Sequence, residues 1–333
     1  MKKSYNQSQC VRFILIIFVV LMFLQGVSIF NVHIGDFMNV NQDDINISNN
    51  ETEETLKKQL YCQYDPNINY EKADGGLKIY IPTYNGYIVY TFIHTVYPEF
   101  NADIWRLGQA FMCDDNFQNL QAITPVGAEW DMALRINGRD DFIGGYAHGD
   151  EVFTSLSFYI DGIARHITSV KKLTPFEEIM ITETSTGYDP NDHITETLTH
   201  YKEYVISEGG VTLHQRVKWL GNYTIDTSFM AMMPPLKTLT DMFYTNADYK
   251  PTKVLYSTPY YDVTKAVVYG SQSNLSFSMS VPKQPTLTGG KYFSMTDNGN
   301  GLYNKMYFII CNGHDVVRGD IWETTTCYNI TNG

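Results

Sequence analysis

Beyond Tyr61 most of the chain alternates between apolar and polar positions in short runs. LKIYIPTYNGYIVYTFIHTV, FTSLSFYIDGIARHITSV, VTLHQRVKWL, TKAVVYG, LSFSMSV and KMYFIIC are rich in Val, Ile, Tyr, Phe and Thr, and Gly, Asn, Asp or Pro separate them. A period of two sends successive side chains to opposite faces of a pleated strand, so these runs predict half-buried β-strands. Asn85-Gly86 and Asp161-Gly162 fall between such runs. Both dipeptides suit a type I′ hairpin, which makes adjacent strands antiparallel. Long amphipathic helices do not alternate with the strands, and this excludes doubly wound and barrel α/β folds. The expected fold is all-β: an antiparallel β-sandwich of jelly-roll, concanavalin-like or supersandwich type with a few short helices. Residues 101–112 and 234–244 carry ambiguous patterns that leave room for those helices. A propeller fits less well, because no blade-length repeat is present.

Upstream the pattern changes twice. Lys2, Lys3 and Arg12 precede the apolar run Phe13 to Leu24, a basic flank and apolar segment that predict an N-terminal hydrophobic helix exporting the remainder of the chain. Cleavage after Ser28, with Gly26 and Ser28 as the small residues, would release a secreted protein. Left uncleaved, the run continues to Phe30 and reaches 18 residues, the lower limit for a membrane anchor. Residues 1–30 are therefore a signal peptide or anchor, 31–60 a polar linker or stalk, and 61–333 a single sandwich domain. Asn50 and Glu53 resemble a capping box for one short helix in the linker.

A formal net charge of −12 without a basic stripe argues against nucleic acid as partner. A membrane is met only through the N-terminal segment, if that stays attached. Setting Cys10 aside, Cys62, Cys113, Cys311 and Cys327 form an even set. Short loops close most readily, which favours Cys62 with Cys113 and Cys311 with Cys327; buried free thiols are the alternative. Without a CxxC, a zinc site on paired cysteines is not expected.

Two stretches carry candidate chemistry. In DDFIGGYAHGDE (140–151), an extended backbone after Gly145 would set Tyr146, His148 and Asp150 on one face. His148 suits a general base, and Asp150 or Glu151 can orient it, donate a proton or ligate calcium. In THYKEYVISEGGVTLHQRVKWL (199–220), a hairpin turning at Gly209-Gly210 pairs Val205 with His214, Glu203 with Arg216 and Tyr201 with Lys218. Tyr201, Glu203, His214, Arg216 and Lys218 then share a polar face opposite Val211, Leu213, Val217 and Trp219. The same alternation is also what a plainly solvated strand shows. Trp130, flanked by Glu129, Asp131 and Arg135, is the tryptophan expected in a cleft.

These residues suit an exported carbohydrate-active protein whose partner is a polysaccharide or cell-surface glycan. The leading expectation is a lyase that cleaves an acidic, uronate-containing glycan by β-elimination. His148 or His214 would serve as base and Tyr146 or Tyr201 as acid, with Arg216 or Lys218 neutralising the carboxylate. Arg135, Trp130, Asp150 and Glu151 would contact the substrate. No cofactor is required, calcium being the one ion the acidic loop would suit. A glycoside hydrolase would instead draw a carboxylate pair from Asp140, Asp141, Asp150 and Glu151, or from Glu129 and Asp131. The third reading is a non-catalytic surface protein that binds glycan, adheres or builds structure, a viral or phage surface protein included.

Overall fold

The computed structural model describes residues 58–70, 73–145, 148–287, 290–298 and 301–333. The N-terminal apolar segment, the linker up to residue 57 with its expected capped helix, and Tyr146 lie outside them. Strands and three single-turn 3₁₀ segments make up the regular structure of the described residues.

β1 (Leu60–Asp65), β2 (Ala73–Thr83), β3 (Gly86–Tyr97) and β4 (Ala102–Leu107) form an antiparallel meander, and β5 (Phe111–Cys113) and β6 (Gln121–Ala122) continue from the near end of β3. β7 (Ala133–Ile136) belongs to a second sheet. β8 (Glu151–Ile160), β9 (Ile163–Arg165), β10 (Thr174–Phe176), β11 (Ile179–Tyr188), β12 (Glu196–Ser207) and β13 (Gly210–Trp219) return to the first. β14 (Tyr223–Met233) crosses back to pair with β7. The rest comprises β15 (Met242–Thr245), β16 (Thr252–Lys253), β17 (Tyr260–Tyr261), β18 (Lys265–Tyr269), β19 (Leu275–Lys283), β20 (Tyr292–Asn298), β21 (Tyr303–Ile309), β22 (His314–Val316) and β23 (Ile321–Asn332).

The pairings give a 17-stranded sheet and a six-stranded one. The larger runs β16, β15, β18, β19, β23, β13, β12, β11, β8, then β4, β3, β2, β1, β10; in the smaller, β14 joins β7, β21 and β22, and β20 links β21 to β17. The larger sheet folds over itself around one core. Phe92 of β3 meets Tyr204 of β12 edge to face at 5.0 Å, while Tyr90 and Tyr328 flank Trp130 at 6.0 and 5.4 Å. Alternation decides what enters that core: Val211, Leu213, Val217 and Trp219 are buried on β13, and Leu198, Tyr204 and Ile206 on β12.

Neither ambiguous segment forms an α-helix. Residues 102–107 pair with β3 as β4, and 237–239 make one 3₁₀ turn before β15. Pairing against an apolar neighbour outweighs weak helical spacing. Asp161 and Gly162 are both left-handed (φ 50° and 74°) and close the expected I′ turn. The other hairpin turns one residue earlier, at Tyr84-Asn85, and Gly86 (φ 115°) is already the first residue of β3.

The expected disulfides do not form: Cys62, Cys113, Cys311 and Cys327 are free thiols. Cys62 lies in the main core, whereas Cys113 packs with Tyr80, Tyr87 and Val89 in a separate cluster. Cys311 is buried against Ser228, while Cys327 shares the outer face of β23 with Thr325 and Asn329. Loop length favoured pairs that strand parity sends to opposite faces. Burial pushes the Cys62 thiol up to about 12 and Cys113 up to about 11, and raises Cys311 as well. Titration of the native protein with a thiol reagent at pH 8 should therefore label Cys327 first among these four. The three buried thiols should react only on unfolding, without added reductant; a gain in reactive thiols on reduction would contradict their being free.

Charged side chains also enter the core. Lys202, fully buried on the inner face of β12, lies 2.7 Å from Glu183, 3.5 Å from Glu151 and 3.6 Å from Asp131. Glu151 also binds His200 at 2.9 Å and accepts the Ser185 hydroxyl. The network has a structural task at β4. Glu183 accepts the Trp105 amide at 2.6 Å and Lys202 donates to the Trp105 carbonyl at 3.4 Å, so two side chains satisfy a strand edge that no strand pairs.

Candidate functional site

Three backbone corners meet where β3 turns into β4, where the 140–150 loop enters β8, and where β11 turns into β12. Each holds a non-glycine residue in the left-handed region: Asn101 (φ 47°), Asp150 (φ 52°) and His193 (φ 57°). Asn, Asp and His tolerate this conformation better than other side chains, yet each still costs of order 1–3 kcal/mol and persists only where its surroundings enforce it. Here the three enforce one another. Asp150 Oδ1 lies 2.6 Å from His193 Nδ1. The Asn101 amide group donates to the His193 carbonyl at 3.2 Å and to the Asp150 carboxylate, and the Asp150 amide donates to the Phe100 carbonyl at 2.7 Å.

The loop 189–195 presents His193 outward. The His193 amide donates to the Asp189 carbonyl at 2.8 Å, while Asp192 accepts the amides of Ile194 and Thr195 and the Thr195 hydroxyl. The His193 ring is 51% exposed on an Asp150 carboxylate that is 2% exposed. With Nδ1 engaged, Nε2 is the nitrogen left to exchange protons. The hydrogen bond from Asp150 raises the His193 pKa, and burial raises Asp150 against the pull of that same bond. Both shifts have one meaning: the pair keeps its proton to a higher pH than isolated groups would.

A second imidazole is anchored in the same way. His148 Nδ1 is held by the Asp141 carboxylate, and the charge of Asp141 reaches Asp150 and His193. Phe142 packs on the His148 ring at 4.8 Å and stacks on Phe229 at 5.6 Å and 23°, and Phe229 meets Tyr307 at 4.2 Å. Arg135 lies over Phe142 at 5.6 Å. These rings form a half-buried shelf on the outer face of the smaller sheet. Arg139 borders the corner, paired with Asp189 at 2.8 Å.

Gly149 (φ 75°) lets the loop pass beneath the β3–β4 corner, since a Cβ there would stand 1.9 Å from the Phe100 carbonyl oxygen. Gly149→Ala should cost at least about 1–3 kcal/mol through strain and displacement of Asp150. Urea unfolding measures this, and a change within about 0.5 kcal/mol would contradict the geometry.

The loop therefore carries site residues, but not as an extended strand. His148 turns to Asp141 and Asp150 to His193, so they share no face. Glu151 is buried against His200 and Lys202, unavailable to substrate and unable to share a calcium ion with Asp150. Among the described residues no three His, Cys, Asp or Glu side chains converge as a metal requires. Trp130 is not in a cleft: it is 1% exposed and donates its indole N–H to the Gly108 carbonyl at 2.8 Å. Packing between Tyr90 and Tyr328 removes it from solvent.

The hairpin forms with its polar and apolar faces as expected, but it turns at Glu208-Gly209, so Tyr201 faces Arg216, Glu203 faces His214 and Thr199 faces Lys218. His214 bonds Thr325 at 2.9 Å, the Tyr201 hydroxyl donates to Glu203 at 2.9 Å, and Arg216 stands 3.8 Å from Glu323. The first is half-buried, and the other two are exposed pairs of little energetic weight. They lie on the outer face of the larger sheet, whereas His148 lies over the outer face of the smaller, with the core between. The two candidate stretches do not build one site. His193 had no signal beyond its turn-rich DPNDH surroundings, and its partner is 43 residues away.

No protein-family model matches the chain, and no curated protein matches it in sequence. Similar solved structures include a galactose mutarotase-like protein from Clostridium acetobutylicum (TM-score 0.45, 9% identity, 83% of this chain and 99% of that one). Others are a GH36 alpha-galactosidase from Geobacillus stearothermophilus (0.45, 7%, 81% and 41%) and the galactosidase domain of an alpha-galactosidase-sucrose kinase (0.44, 11%, 80% and 41%). The chain spans about two fifths of either galactosidase chain.

Proposed function

We propose that the corner formed by His193, Asp150, His148 and Asp141 performs general acid–base chemistry on an acidic glycan outside the cell, with the N-terminal segment exporting or anchoring the domain. One observation carries this reading: two histidines are each anchored through Nδ1 on a carboxylate, and the ring of one, His148, packs on a partly exposed aromatic shelf with Arg135 over it. Aromatic rings suit the apolar faces of sugar rings, and a guanidinium suits a uronate carboxylate. In β-elimination His148 Nε2 takes the C5 proton while Arg135 steadies the carboxylate. The C4–O bond breaks as the C4–C5 double bond forms, and His193, kept protonated by Asp150, gives its proton to the leaving oxygen. The scheme uses side chains alone. It replaces the hairpin residues expected from the alternation pattern with His193 and Arg135.

The test incubates the purified protein with acidic and neutral polysaccharides and follows unsaturated-uronate absorbance and new reducing ends together. Both signals are expected on an acidic glycan. Reducing ends alone would replace elimination by hydrolysis, and silence in both channels would leave a binding protein and overturn the catalytic reading.

A further inference from the structure

The larger sheet is open along one seam. β4 and β8 run parallel and pair only where Ala102 meets Glu151 and Asp103 meets Val152. Past that point β8 has no strand partner on this side among the described residues until Phe158, where β9 joins it. The facing edge of β4 needs none, because Glu183 and Lys202 already bind the amide and carbonyl of Trp105. Buried charge thus holds the seam apart.

A cleft of about 580 Å³ occupies the gap, with His94, Trp105, Phe153, Ser155, Tyr159 and Arg165 among its walls. One wall is stiff: His94 stacks on Trp105 at 4.9 Å and 6°, and Asp103 fixes its Nε2 at 2.7 Å. Phe153 and Leu156 point toward the core yet stay only half-buried, since the β4 side has moved away. At the far end the Arg165 side chain is exposed, with no hydrogen bond or ion pair among the described residues.

We propose that this seam takes up an extended peptide as an added strand beside residues 153–157. An unpaired strand edge is a ready template for another, and main-chain hydrogen bonds with pockets for alternate side chains are how such additions bind. Five residues offer about 16–17 Å of edge. One apolar or aromatic guest side chain enters toward Phe153, Leu156 and Trp105, and a guest carboxylate reaches Arg165. A saccharide would match the aromatic wall but would leave the main-chain groups of β8, interrupted by one bulge at Thr154, without answering partners.

Panning a random heptapeptide display library on the full-length protein, followed by fluorescence polarisation with synthetic winners, tests the proposal. Winners should alternate apolar and polar residues and carry Asp, Glu or a free carboxyl terminus. N-methylation of every second peptide amide should weaken binding about tenfold or more, while N-methylation of the intervening amides should do little, the signature of strand pairing. Arg165→Glu, at an exposed position, should weaken acidic winners about tenfold without moving Tm. Failure to enrich any peptide overturns the proposal. So does equal tolerance of both methylation patterns, binding indifferent to Arg165→Glu, or an oligogalacturonate that displaces the winners competitively.

Discussion

Replacing Lys202 with alanine is expected to destabilise the all-β domain by about 3–5 kcal/mol. The ammonium is fully buried among Glu183, Glu151 and Asp131 and also binds the Trp105 carbonyl. Removing it leaves three carboxylates without their cation and uncovers one side of β4. Burial alone would raise Glu151, but Lys202 and His200 hold it below its ordinary value, so the alanine variant loses that support too. Denaturant unfolding at pH 7 reads the effect directly, and a cost under about 1 kcal/mol would mean that the network contributes nothing to stability. Glu183 behaves in the opposite sense. Burial outweighs its contact with Lys202 and raises it to about 7. A carboxyl raised in the folded state loses stability as pH climbs from the unfolded value of 4.5 to the raised one. The non-titrating Glu183→Gln should therefore gain on the native protein across that window, and a difference independent of pH would contradict the assignment.

The second large effect falls on turnover. On any substrate that the polysaccharide assay identifies, His193→Ala and His148→Ala should each lower kcat/KM by about 10²–10⁴-fold while the protein stays folded. Asp150→Asn separates a working acid from a structural prop. The Asp150 hydrogen bond keeps His193 protonated to higher pH, so activity that needs the imidazolium survives further into the alkaline range than for an isolated histidine. Without that bond the alkaline limb of the rate profile should move to lower pH. An unmoved limb would leave His193 as a strut holding the corner together.

How far the sequence revealed this molecule depends on distance along the chain. The β12–β13 hairpin was legible because each decision is local. Leu213, Val217 and Trp219 alternate with His214, Arg216 and Lys218, and a two-residue error in register keeps every side chain on its own face. That alternation also carried an unused signal. It puts His200 and Lys202 on the face of Leu198, Tyr204 and Ile206, and a polar residue aligned with a core face must have found a buried partner. The Asp150–His193 pair was not legible, since it depends on two loops folding to the same corner. Trp130 and the cysteines were misplaced for a related reason: loop length and neighbouring charge are local quantities, whereas the face on which a residue lands is set by strands far along the chain.

The position of β23 governs how this domain can be made. Residues 321–332 lie between β13 and β19, joining strands more than fifty residues apart in sequence. A nascent chain presents β13 and β19 to solvent until that stretch has been synthesised, so the middle of the larger sheet is the last part to close. Closure of the centre consequently waits for residues 321–332. A chain interrupted before Ile321 would carry two long open edges and would be a substrate for chaperones and proteases.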